Sequence, residues 1–128
     1  MPAIVEHLKK LGHEVIECGP HSAEPVDYPD VAKKVCETIL SGKAEYGILM
    51  CGSGIGVSIA ANRHRGIRAA VCTNPTMAEL SRAHNNANVL CVGRRILTLD
   101  EILTLINIWL NTPFSGAERH LRRVEKLG

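Results

Sequence analysis

Four short runs, HEVIEC (13–18), YGILMC (46–51), IRAAVC (67–72) and NVLCVG (88–93), alternate with stretches of helical periodicity. No other feature restricts the fold as strongly. Several of the runs are nearly continuously apolar, which suits parallel strands covered on both faces. Helices are expected over roughly 28–41, 55–63, 76–84, 98–111 and 116–126. Asp27 is placed to cap the first of these, with Pro29 in its opening turn. Thr98 and Glu101 have the spacing of a capping box ahead of the long helix at 98–111. Strand–helix alternation with short connections predicts one α/β domain over residues 1–128, a three-layer α/β/α sandwich around a mostly parallel, Rossmann-like sheet.

The opening stretch MPAIVEHLKKLG reads directly as a helix, with Ile4, Leu8 and Leu11 on one face and Gly12 as its stop. A helix leading straight into a strand is normally the second half of a βαβ unit, so the pattern asks for a strand ahead of it.

Composition narrows the function. A chain of 128 residues fits one domain with a core of its own. Aromatic residues are 3% of it, too few for a base-stacking platform. The net charge is +2 and the basic residues bunch toward the C-terminus, which favours a local anion site over a polyanion surface and argues against nucleic acid as a partner. Cys18, Cys36, Cys51, Cys72 and Cys91 are widely spaced, with no C-x-x-C pair and no secretory signal ahead of them. They read as reduced thiols of a cytoplasmic protein. No apolar run is long enough to span a bilayer, so no membrane partner is expected.

The chemistry concentrates in LMCGSGIGVSIAANRHRG (49–66), where Cys51 sits at the end of an apolar run and a glycine loop leads into a helix. In α/β sheets ligands bind beyond the carboxyl ends of strands. Gly52, Gly54 and Gly56 form G-x-G-x-G rather than the dinucleotide fingerprint, and no acidic residue closes the next strand, which disfavours a nicotinamide cofactor. There is no G-K-[S/T] for a nucleotide, no arginine six positions after Cys51 for a cysteine phosphatase, and no G-x-S-x-G elbow around Ser53. What remains is a loop at a helix start whose backbone N–H groups face something negative, with a thiol of lowered pKa beside it. The plainer alternative is that Cys51 packs in the core and the glycines only turn the chain.

Two further clusters stand out. SRAHNNANVL puts His84 and Asn85 at a helix end, where a histidine also serves as a plain cap. GAERHLRRVEK carries Arg119, Arg122 and Arg123 with His120, and the i,i+4 spacing sets Arg119 and Arg123 on one side, as a solvated face would also show. Arg94 and Arg95 follow a strand end. A base, a proton shuttle, an oxyanion cradle and arginines together suit a sugar phosphate.

The stretches VDYPD, GILMCGSGIGVSIAANR, GIRAAVC, AHNNANVLCVGRR and ERHLRRV, in this order, resemble the type B ribose-5-phosphate isomerase family, which includes galactose-6-phosphate and allose-6-phosphate isomerases. The resemblance spans essentially the whole chain. It implies a five-stranded parallel α/β/α sandwich working as a homodimer, or a dimer of dimers, with active sites built across the subunit interface. Cys51 would then carry the proton between C1 and C2. The loop Gly52, Ser53, Gly54, Ile55 and Gly56 would cradle the enediolate, with Ser53 supplying the hydroxyl that is commonly a threonine's. His84 would open the sugar ring, Asn85 and Tyr28 would contact substrate, and Arg95, Arg119 and Arg123 would bind substrate and its phosphate.

The chain also departs from the family's pattern. Asn86 stands where aspartate is usual, GAERH is one residue longer than GGRH, and CTNPTMA replaces CHDTYSA. The family's first strand, which ends in an Asp-His pair that handles substrate and protons, precedes the first residue of this sequence. The implied reaction interconverts ribose 5-phosphate and ribulose 5-phosphate through a cis-enediolate. No metal-ligand cluster is recognisable, in keeping with a cofactor-free route. The alternatives are a six-carbon substrate, allose 6-phosphate or galactose 6-phosphate, or a silent sugar-phosphate-binding subunit lacking the Asp-His pair.

Overall fold

A computed structural model describes residues 2–19 and 27–128, which leaves Val26 of the VDYPD stretch outside it. Along the chain run α1 (Pro2–Lys10), α2 (Tyr28–Leu40), β1 (Gly47–Cys51), α3 (Ile55–Asn62), β2 (Ala69–Val71), α4 (Pro75–Ala83), β3 (Val89–Gly93), α5 (Leu99–Asn111) and α6 (Glu118–Leu127). The three strands are parallel, in the order β1-β3-β2.

Helices cover both faces of this sheet, which is why the strands are apolar without alternation. Successive side chains of β3 point to opposite faces. Leu90 and Val92 pack with Ala78 of α4 and with Ile102, Leu105, Ile106 and Trp109 of α5, and Ile4 of α1 joins the same core. Val89 and Cys91 face the other way, onto Ala32 and Cys36 of α2 and Val57 and Ala61 of α3. The expected three layers are present. Large fully buried side chains such as Trp109, Leu90, Ile102 and Ile106 stabilise them by roughly 1.5–3 kcal/mol each.

The local signals act at most of the predicted places. Thr98 Oγ1 accepts from the Glu101 N–H at 3.2 Å while the Thr98 N–H donates to Glu101 Oε1 at 2.9 Å, completing the capping box. Asn74 caps α4 by accepting from the Met77 N–H at 2.9 Å. Asp27 occupies the cap position of α2, but its side chain makes no capping bond. The extended backbone at Asp27 and the proline in the first turn suffice to start the helix.

Three sequence expectations are corrected. Residues 13–18 are not a strand: they pair with no ladder among the described residues, and Ile16 is half exposed. A strand needs a neighbour, and among the described residues none is beside this run, where β1 pairs only with β3. Cys18 is consequently only partly buried and lies 3.7 Å from Thr38 Oγ1, unlike the buried Cys36, Cys72 and Cys91. Leu11 falls beyond the end of α1 and is exposed, because Gly12 at φ +89° turns the chain away from the helical face.

The strand expected over 67–72 shrinks to Ala69–Val71. Side-chain amides take over the backbone groups at its entry. Asn62 brackets Ala69 at 2.8 and 2.9 Å, and Asn88 accepts from the Arg68 N–H at 2.7 Å while donating to the Gly66 carbonyl at 2.9 Å. Asn62 thus satisfies the Ala69 backbone groups, and Asn88, just ahead of β3, those of Arg68 and Gly66.

Candidate active site

Register brings the first cluster together. Cys51 ends β1 directly beside Gly93, which ends β3. The Arg94 N–H donates to the Cys51 carbonyl at 3.0 Å and the Arg95 N–H to the Gly52 carbonyl at 2.9 Å, so the two strand ends are stitched beyond the sheet. The glycine loop then folds back over β3. A Cβ on Gly93 would lie 2.5–2.7 Å from the backbone of Ser53, and one on Gly54 would lie 3.0 Å from the backbone of Val92. Gly54 also has φ +83°, a conformation that side chains resist. The aliphatic part of Arg95 lies over Gly52, and the Tyr28 ring lies against Gly56.

Within this cluster the N–H groups at the start of α3 turn toward sulfur. The Gly54 N–H donates to Cys51 Sγ at 3.2 Å. Burial works to raise the thiol, but the backbone N–H groups of Val57, Gly54, Ser53 and Gly56 outweigh it and hold Cys51 below its ordinary value. The loop expected to cradle an enediolate thus first stabilises a thiolate. Ser53 Oγ accepts from the Ile55 N–H at 3.1 Å, which leaves its O–H free to donate outward. The other thiols go the opposite way. Burial raises Cys36 and Cys72, and burial with the neighbouring cysteines pushes Cys91 up to about 12.

A pH prediction follows. A lowered thiol reaches its thiolate form at lower pH, and alkylation follows the thiolate. Iodoacetamide labelling of Cys51, followed by peptide mass spectrometry, is expected to rise with pH along a curve displaced below that of an unperturbed cysteine. Cys91 should stay unlabelled throughout. Labelling of Cys51 with a midpoint at or above the unperturbed value would contradict this electrostatic reading.

The second cluster surrounds the end of α4. His84 closes that helix, its N–H donating to the Leu80 carbonyl at 2.9 Å. Its ring stacks on that of His120 from α6, with centroids 4.2 Å apart and planes 12° from parallel. Arg119 Nε donates to His120 Nε2 at 3.4 Å. Burial, His84, Arg119 and Arg123 all lower His120. Arg119 and Arg123 are exposed beside it, as is Asn85. No hydrogen bond among the described residues joins this cluster to the first one.

The structure brings Cys51, Gly52, Ser53, Gly54, Ile55, Gly56, Tyr28 and Arg95 into one neighbourhood and His84, Arg119 and Arg123 into another, whereas the sequence reading assigned them all to one substrate site, with Arg95 beside Arg119 and Arg123. That reading did not give His120 a role, and it missed Arg82, which is 5% exposed beneath the second cluster. The signal for Arg82 was its place in the helical stripe with Ala78 and Ser81, the two residues of α4 buried alongside it.

The profile of the Ribose/Galactose Isomerase family matches residues 1–127. The chain belongs to that family. Among ribose/galactose isomerase relatives, ribose-5-phosphate isomerase B of Escherichia coli strain K12 is 45% identical over 124 residues, which cover 97% of this chain and 83% of that protein. Ribose-5-phosphate isomerase B of Clostridium thermocellum has a solved structure that superposes with a TM-score of 0.96 at 51% identity, covering 99% of this chain and 85% of its own. That of Thermotoga maritima superposes at 0.94 with 49% identity, over 98% and 86% of the two chains. The family fold is therefore present here. Among the described residues no helix is long and apolar enough to cross a membrane.

Proposed function

We propose that this chain interconverts ribose 5-phosphate and ribulose 5-phosphate, with Cys51 as the base. The single observation that carries the mechanism is the ring of backbone N–H groups that lowers the Cys51 thiol at the carboxyl end of β1. The family and its ribose-5-phosphate isomerase B relatives support the substrate.

The chemistry requires a proton to leave C2 of the open aldose and return to C1. Cys51 Sγ, as thiolate, takes the C2 proton, and the electron pair left behind moves charge onto the carbonyl oxygen at C1. Once sulfur is protonated its claim on the loop N–H groups weakens. The same groups are then free to follow the charge onto the enediolate, with the Ser53 O–H as a further donor. Transfer of the 2-hydroxyl proton to O1 and return of the proton from sulfur to C1 give the ketose, with the carbonyl now at C2 and the hydroxyl at C1. His84 opens the furanose ring, with Asn85 and Tyr28 contacting substrate. Arg95, Arg119 and Arg123 receive the phosphate, since a guanidinium fork matches two phosphate oxygens.

Two clusters unjoined by hydrogen bonds within one chain suit a homodimer in which His84 and the arginines of one subunit face Cys51 of its partner. The surface beside Cys51 is dressed for contact: Ile55 and Ile59, one helical turn apart on α3, are each 56% exposed. Sedimentation velocity is expected to give a dimer, and a monomer at micromolar concentration would refute the shared site.

The deciding experiment follows ribulose 5-phosphate formation from ribose 5-phosphate by the purified chain, with allose 6-phosphate and galactose 6-phosphate as competing substrates. Higher kcat/KM on either six-carbon sugar would overturn the substrate assignment. Substitution of Arg123 by alanine is expected to raise KM for ribose 5-phosphate by about 10-fold or more, the size of a lost charged hydrogen bond. The fold should be untouched, because Arg123 is exposed. An unchanged KM would remove Arg123 from the phosphate site.

A further inference from the structure

Arg82 leaves α4 two residues before His84 and is almost completely buried. A guanidinium offers five donors, and here they reach four acceptors on three separate segments. Nε donates to the Thr112 carbonyl at 3.2 Å, at the end of α5. Nη1 donates to the Ala87 carbonyl at 2.7 Å and to Asn86 Oδ1 at 3.0 Å, in the turn that follows His84 and Asn85. Nη2 donates to the Tyr46 hydroxyl at 3.1 Å, just ahead of β1. The guanidinium carbon lies 4.9 Å from the Tyr46 ring centre and 5.7 Å from that of Trp109. Among the described residues the indole N–H of Trp109 meets no acceptor, so Trp109 contributes packing to this contact.

The segments tied together are those that carry the second cluster. The turn 84–88 begins with His84 and contains Asn86, whose backbone adopts φ +49°. Thr112 opens the linker into α6, and that linker returns to α4 through the Ser115 N–H on the Ala83 carbonyl at 3.0 Å. Because α6 buries only His120, the position of Arg119 and Arg123 depends on how linker and turn are held.

We propose that Arg82 is a positioning residue for the isomerase reaction: by holding Thr112, Ala87, Asn86 and Tyr46 at once, it sets the relative placement of His84 and the α6 arginines. The proposal rests on the isomerase reading for its kinetic part only. Lysine keeps the charge but concentrates its donors on one nitrogen and cannot span these acceptors.

The test compares Arg82→Lys with the unsubstituted protein by kinetics, histidine NMR and Cys51 alkylation. A misplaced phosphate and ring-opening cluster is expected to raise KM for ribose 5-phosphate by about 10-fold or more while kcat changes several-fold less. The ring-current-shifted imidazole signals of His84 and His120 should move toward free-histidine positions. Cys51, held by other contacts, should alkylate at its usual rate, which a general loosening of the fold would not allow. Unchanged KM and unchanged imidazole signals would overturn the proposal, and so would accelerated alkylation of Cys51 together with buried cysteines. Should Arg82→Lys fail to fold, Tyr46→Phe removes one acceptor and keeps both rings. It must then show the same pattern in smaller degree, and no displacement of the imidazole signals would overturn the proposal. If the unsubstituted protein does not isomerise ribose 5-phosphate, the isomerase reading fails, and the NMR signals still decide the role of Arg82.

Discussion

Replacement of Cys51 by alanine is expected to lower kcat for ribose 5-phosphate isomerisation by about 10²–10⁴-fold, the contribution of a well-positioned proton-transfer group. The fold should survive. Cys51 is only partly buried, and its sulfur accepts one hydrogen bond, from the Gly54 N–H. Gly54 is buried, so the variant leaves that N–H without its acceptor at a cost of about 1–3 kcal/mol, below the roughly 5–15 kcal/mol typical of a domain. Substitution by serine should not restore turnover, since an alcohol stays protonated in the pH range where this thiol ionises. Initial rates of ribulose 5-phosphate formation, with circular dichroism to verify folding, provide the measurement. A folded alanine variant that retained more than about a tenth of the rate could not be reconciled with a thiolate base.

The second large effect is predicted at a residue that touches no substrate. Gly93→Ala places a methyl group 2.5–2.7 Å from the carbonyl carbon, oxygen and Cα of Ser53. These are backbone atoms, so no side chain can swing away, and either β3 or the glycine loop must shift. β3 is the central strand and buried along its whole length, which makes it the stiffer partner. The loop therefore moves, and its N–H groups lose their aim at sulfur. Overpacking of this kind costs about 1–3 kcal/mol of stability. Displacement of a catalytic group by about 1 Å costs about 100-fold in rate, so activity should fall further than stability does. Cys51 alkylation should slow at neutral pH as the thiol returns toward its ordinary value. A Gly93→Ala protein with unchanged rate and alkylation profile would show that the loop does not depend on this close approach.

Local sequence was enough for the elements whose causes are local. Pro29 and Pro75, the Asn74 cap and the Thr98–Glu101 box start helices close to where such signals place them. The unbroken apolar character of YGILMC and NVLCVG announced a sheet covered on both faces, because alternation is lost only when both faces are dry. The Cys51 loop was legible for the same reason: thiol, glycine spacing and helix start are contiguous, and backbone N–H groups need no distant partner to lower a thiol. Arg119 and Arg123 were legible as residue types on a helix, not as a place.

Tertiary structure decided the rest. HEVIEC has the composition of a strand, yet a strand exists only through hydrogen bonds to a neighbour, and without one the same residues stay exposed. Gly93 reads as the last residue of a strand, and only the fold-back of the Ser53 backbone shows that no side chain fits there. His84 and His120 lie 36 positions apart, so their stacking depends on how α6 returns to α4. Arg82 looks like a surface charge on a polar helix until Tyr46, Ala87 and Thr112 converge on it. Contacts within a turn or a loop are written in neighbouring residues, whereas the positions of His84, Arg119 and Arg123 come from packing that only the closed chain creates.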